Sequence, residues 1–94
     1  MRRINIVTKV RFPLVDGEEI DLYSSLRDMH EQFDYTSCFY DETFRRIILK
    51  LPRMSLTIFC TGKAMVYSLA EERELQGFLD YLWDDFLKKN VRKQ

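Results

Sequence analysis

Leu51-Pro52-Arg53-Met54-Ser55-Leu56-Thr57-Ile58-Phe59-Cys60-Thr61-Gly62-Lys63 is the stretch from which the fold of this chain can be read. Leu56 and Ile58 alternate with Ser55, Thr57 and Phe59, the period of a strand whose two sides meet different surroundings. Thr61-Gly62 supplies a tight turn. Lys63 to Leu69 returns with the same period, Ala64 and Val66 on one side against Lys63, Met65 and Tyr67 on the other. The pair is predicted to be an antiparallel hairpin. One face is apolar, and the other carries lysine, threonine and large side chains.

Upstream, Arg3 to Phe12 alternates in the same way, with Ile4, Ile6, Val10 and Phe12 on one side and Arg3, Asn5, Val7, Lys9 and Arg11 on the other. Pro13 ends that strand and Asp16-Gly17 turns the chain. Asp21 is placed to cap a helix in which Leu22, Leu26, Met29 and Phe33 form one stripe. His30 lies at the stripe's edge without a second histidine or a ligand cluster, which predicts a structural role. Between Asp34 and Glu42, Tyr35, Phe39 and Tyr40 suit a short strand while Asp34, Ser37, Asp41 and Glu42 suit turns, and both states stay open.

From Phe44 the alternation resumes, with Ile47, Leu49 and Leu51 inward and Phe44, Arg46, Ile48 and Lys50 outward; Arg45 falls on the inward side, at a start expected to fray. Pro52-Arg53 then turns into the hairpin. After it, Ser68 and Glu71 have the spacing of a capping box for a helix reaching about Lys89, with Leu75, Phe78, Leu79, Leu82 and Phe86 buried and Tyr81 and Trp83 on the borders. Asn90 to Gln94 reads as a frayed basic tail. The order strand, helix, antiparallel strands, helix predicts an α+β fold, one domain over residues 1–94 with a core from about 3 to 89. Two helices are expected on one sheet face, leaving the other to solvent.

Composition bounds the partners. The chain has 94 residues, 46% hydrophobic, 14% aromatic and 32% charged, enough for one core without metal or disulfide and too polar for a membrane span. Its start, Met-Arg-Arg and then alternation, lacks the apolar block of a signal peptide. An intracellular protein is expected, in nucleus or cytoplasm. Cys38 and Cys60 have no metal-ligand spacing around them and are expected to be reduced thiols.

Formal charge is zero, but its distribution is uneven. Residues 1–15 hold Arg2, Arg3, Lys9 and Arg11, residues 43–70 hold Arg45, Arg46, Lys50, Arg53 and Lys63, and neither segment holds an acid. Those are the segments with strand periodicity, so a basic sheet with acidic helices is predicted. Val7, Ile48, Phe59, Met65 and Tyr67 share the outward positions with the bases, more large apolar surface than a purely solvated face needs.

These residues resemble one repeat of the TATA-binding protein family. Asn5-Ile6-Val7 is similar to the family's opening strand, Ile20-Asp21-Leu22 to the start of its first helix, and Pro52-Arg53, Ile58-Phe59, Cys60-Thr61 and Gly62-Lys63 to its Pro-Arg to Gly-Lys hairpin. An acid-capped helix closes both, and the resemblance runs from about Asn5 to Leu87. It implies a curved antiparallel sheet with two helices on its convex side, the saddle half whose concave face lies on the DNA minor groove. Asn5 and Val7 match groove-reading positions, Phe59 a wedge phenylalanine and Lys63 a backbone-contacting lysine.

The family carries two repeats where this chain has one. The resemblance therefore implies a homodimer joined through the first strand, or a partner bearing the other half. A second wedge is expected where Glu42 stands, with Phe44 and Tyr40 as the two nearby candidates. Tyr67-Ser68 stands where the family has Thr-Gly.

The expected function is duplex DNA binding in transcription, through Asn5, Val7, Lys9, Arg11, Phe44, Arg46, Ile48, Lys50, Thr57, Phe59, Lys63, Met65 and Tyr67. A transcription-factor partner is also expected, with neither cofactor nor metal. The alternative is a non-enzymatic protein-interaction or dimerisation module using the same sheet face or the acidic helices. Neither paired carboxylates, nor a nucleophile with its base, nor a Gly-rich phosphate loop stands on the open face, so an enzyme is not expected.

Overall fold

The computed structural model describes residues 6–93. Asn5, with Arg3 and Ile4 of the predicted first strand, lies outside the described residues. The chain forms β1 (Ile6–Arg11), β2 (Glu18–Ile20), α1 (Leu22–Met29), β3 (Cys38–Asp41), β4 (Arg46–Lys50), β5 (Met54–Phe59), β6 (Lys63–Ser68), α2 (Glu72–Leu82) and β7 (Val91–Lys93). A π turn, Trp83–Leu87, and a 3-10 turn, Lys88–Asn90, continue α2.

Five strands make one antiparallel sheet in the order β1-β6-β5-β4-β3, while β2 and β7 form a separate two-stranded ribbon. The architecture is α+β. In the sheet, Leu56 stands opposite Val66 and Leu49, and Ile58 opposite Ala64 and Ile47, so the inward positions of three strands coincide. All six are buried in one core with Leu22 and Met29 of α1 and Leu79, Leu82, Phe86 and Leu87 of the last helical segment. Each large aliphatic side chain removed from water there contributes about 1.5–3 kcal/mol. Both helical segments therefore cover one face of the sheet and leave the other uncovered. None of the helices among the described residues is long and apolar enough to cross a membrane.

Two local devices fix this arrangement. Asp21 caps α1, its carboxylate accepting from the Ser24 N–H at 3.1 Å and from the Ser24 hydroxyl at 2.9 Å. Gly62, with φ of 92°, closes the β5–β6 hairpin where a Cβ would meet Leu14 Cδ1 at 2.9 Å and the Phe12 carbonyl oxygen at 3.3 Å. Only glycine meets both demands without displacing the chain that leaves β1.

The structure resolves the segment left open and departs from the sequence expectations at several other places. The segment left open becomes β3, whose Cys38 stands opposite Leu49 and whose Tyr40 stands opposite Ile47, because pairing with β4 supplies the hydrogen bonds that its turn-prone flanks do not. Phe44 is in the turn over residues 42–45, before the strand rather than on it, and Arg45 has a left-handed φ of 52° there instead of fraying. Ser68 is the last residue of β6, with its hydroxyl accepting from the Ala70 N–H at 2.9 Å, so no capping box forms. Glu71 occupies the N-cap of α2 without a side-chain bond, and Glu72 and Glu74 follow in the first turn, where the helix dipole favours them.

A further departure is the basic tail. Asn90 is buried, its amide donating to Phe86 O at 2.7 Å and to Asp28 Oδ2 at 3.0 Å. Its carbonyl accepts from the Asp21 N–H at 2.8 Å. Beyond it, Lys93 and Arg92 stand opposite Glu18 and Glu19. The ladder with β2, the buried Asn90 amide and the Arg92 pair with Asp21 at 3.6 Å order a segment that its own composition would leave loose.

Candidate nucleic-acid interface

The uncovered face is assembled by strand parity and register. Across the middle of the sheet runs Lys9, Met65, Thr57, Ile48 and Phe39, each directly opposite the next. A second row joins Val7, Tyr67, Ser55 and Lys50, and at the opposite end Arg11 stands beside Lys63 while Phe59, Arg46 and Asp41 form a third. Val7, Met65 and Tyr67 are exposed, at 45%, 43% and 47%. Of the thirteen residues expected at the site, eleven are brought onto this face by β1, β4, β5 and β6 and Phe44 adjoins it from the turn, while Asn5 lies outside the described residues.

Two members of the face were not legible in the sequence: Phe39 and Asp41 of β3. Asp41 changes the electrostatics, because its Oδ2 accepts from Arg46 Nε at 2.9 Å and makes Arg46 one half of an ion pair. The same guanidinium lies 4.8 Å from the centre of the Phe44 ring. Arg46 is thus clamped between a carboxylate and a ring, and the sheet is less purely basic than its sequence. Lys50 Nζ sits 5.7 Å from the Phe39 ring. Lys9, Arg11, Arg45, Lys50 and Lys63 form no ion pair among the described residues. The signals for β3 were the strand-compatible Phe39 and Tyr40 and the opposite charge of Asp41 and Arg46 flanking a four-residue turn.

Where the β5–β6 turn meets the turn at residues 42–45, the face deepens into a hollow of ≈ 540 Å³. Phe44, Phe59 and Met65 supply apolar walls, and Lys9, Arg45 and Lys63 line it as cations. Phe44 is 62% exposed. Tyr40, by contrast, lies on the covered side and packs its ring on Tyr23 at 4.5 Å. Arg45 also borders a smaller hollow of ≈ 240 Å³ with Tyr23, Tyr40 and Cys60.

The remaining reactive side chains have structural surroundings. His30 Nε2–H donates to Cys38 O at 2.7 Å, and the ring packs on Tyr35 at 4.1 Å. Cys38 is buried, which pushes its thiol up to about 11; Cys60 is also raised, by burial first and then by Glu19. Both are free thiols and resist forming the nucleophilic thiolate at neutral pH. Among the described residues, no group of three or more His, Cys, Asp or Glu side chains could hold a metal ion. No protein-family model, curated protein or solved structure matches the chain.

Proposed function

We propose that the chain is a DNA-binding protein of transcription, built as one repeat of the TATA-binding-protein architecture and dimerising so that two open sheet faces form one saddle over duplex DNA. The composition of the open face carries this reading: Lys9, Arg11, Lys50 and Lys63 interleave with Val7, Ile48, Phe59, Met65 and Tyr67. Unpaired cations suit phosphates, and large apolar side chains beside them suit the inner surface of an opened groove. A face that meets only water needs neither the row of apolar side chains nor their interleaving.

The element order supports the same reading, since the first strand lies at the sheet edge beside β6, the last strand of that sheet, and leaves its outer edge for a second copy. Phe44 and Phe59 line one hollow, which suits the pair of wedge rings expected from the resemblance, while Tyr40 faces away. Tyr67 places a ring where the family resemblance expects a small groove contact, so sequence preference is expected to differ from the family's.

Titration of an A·T-rich duplex at increasing salt tests the proposal. The affinity is expected to fall with a slope of about −0.9 per phosphate neutralised in log–log form. Phe59→Ala is expected to abolish the bend seen by end-to-end energy transfer while leaving most of the salt slope. Absent or salt-independent duplex binding overturns the proposal. A protein partner that shields Phe59 and Tyr67 without duplex affinity would then favour an interaction module.

A further inference from the structure

The hollow at the turn end of the open face is concave, whereas a fully stacked duplex presents its bases edge-on. Its volume, ≈ 540 Å³, lies within the range of small-ligand sites. No acid lines it, and its three cations, Lys9, Arg45 and Lys63, form no ion pair among the described residues. Its apolar walls include two rings. One of these, Phe44, stands in the turn with the Arg46 guanidinium 4.8 Å away and most of its surface open. Asp41 holds that guanidinium in place at 2.9 Å, so the ring is braced from the sheet side. Arg45 holds a left-handed φ of 52°, rare for a long side chain. Such backbone conformations concentrate at ligand sites.

We propose that this hollow takes one unstacked nucleotide, with the base against Phe44 and Phe59 and the phosphate held by Lys9, Arg45 and Lys63. The proposal rests on the nucleic-acid reading above and narrows it to a base already out of the stack. Ring faces accept any base by stacking, and three cations in a lining that holds no carboxylate select the phosphate, with Glu19 outside that lining beside Cys60. Extruding a paired base costs a few kcal/mol, so a duplex with an unpaired base supplies the ligand at lower cost than an intact one.

The test titrates the full chain with deoxyadenosine monophosphate, with inorganic phosphate, and with an A·T-rich duplex carrying or lacking one unpaired adenine. The monophosphate is expected to bind more tightly than phosphate, and the bulged duplex roughly tenfold more tightly than the intact one. Phe44→Ala is expected to remove the preference for the bulge. Arg45→Gly relaxes the left-handed turn while deleting the guanidinium, so the melting temperature should stay or rise while monophosphate affinity falls roughly tenfold.

Equal affinity for bulged and intact duplexes overturns the nucleotide site and leaves the duplex reading standing. Monophosphate binding without affinity for either duplex upholds the site and overturns the duplex reading. Phosphate bound as tightly as the monophosphate overturns the site, because the rings would then contribute nothing. No binding of any probe overturns both.

Discussion

Asp21 accepts two bonds from Ser24 at the start of α1 and lies 3.6 Å from Arg92 of β7. Its carboxyl titrates below the ordinary value of 3.8, mainly through the backbone bond from Ser24, against the opposing effect of burial. A carboxylate with a lowered folded value stabilises the fold above its unfolded value and loses that contribution as pH falls through the folded one. Asp21→Ala is expected to cost about 1 kcal/mol in urea denaturation at pH 7. The difference from the parent chain should vanish in acid, below the lowered folded value; a gap that persists undiminished would place the effect elsewhere. Asp21 was legible in the sequence because a cap needs only itself and the next three residues. Arg45 was not, because its place at the hollow follows from a positive φ that composition does not encode for arginine.

β7 and the 3-10 turn before it show how an element can depend on distant neighbours. Asn90 to Gln94 has no periodicity, and five residues with two bases read as loose chain. In the fold, Asn90 links the segment before it to α1 through Asp28 and Asp21, and Val91 stands opposite Ile20. Asn90→Ala leaves the Asp21 N–H bond to the backbone intact but removes both amide donations. It is expected to lower stability by roughly 1–3 kcal/mol in chemical denaturation. Lys89→Ala, which breaks only the exposed 3.6 Å pair with Asp28, should cost less than about 1 kcal/mol. Equal losses for the two would show that the buried amide is dispensable. The helices were legible because amphipathic periods are local. The ribbon was not, because its partners, β2 and β7, are separated by nearly the whole chain.

For the molecule as a whole, the open edge of β1 is the feature on which the proposed dimer would depend. Thr8, on the helix-covered side of β1, is exposed, and Val10 is only half-buried. A groove of ≈ 480 Å³ runs past both, bounded by Ala70, Leu75 and Leu79. A second copy pairing β1 with β1 about a twofold axis would cover them, while bringing two sets of Lys9 and Arg11 together on the open face. Like charges repel at that distance and salt screens them. Added salt is therefore expected to strengthen the bare dimer and to weaken the duplex complex, and duplex is expected to promote dimerisation at low salt. Sedimentation with and without duplex measures both trends. Thr8→Glu, which meets solvent in the single chain, should preserve the fold and abolish the dimer. A dimer untouched by that change would not run through β1.

The sequence by itself determined the coarse order of strand, helix, strands and helix, the two faces of β1, β4, β5 and β6 and the apolar stripes of the helices, because alternation and helical spacing are encoded among near neighbours. It also separated bases from acids along the chain, hence the basic character of one face. Tertiary structure alone decided which cations remain unpaired: Arg46 is matched by Asp41 across a turn, while Lys9, Arg45 and Lys63 meet around a hollow built from three separated segments. It also turned a basic tail into a strand. These outcomes depend on distances between residues far apart in the chain, and those distances are set only when the core closes.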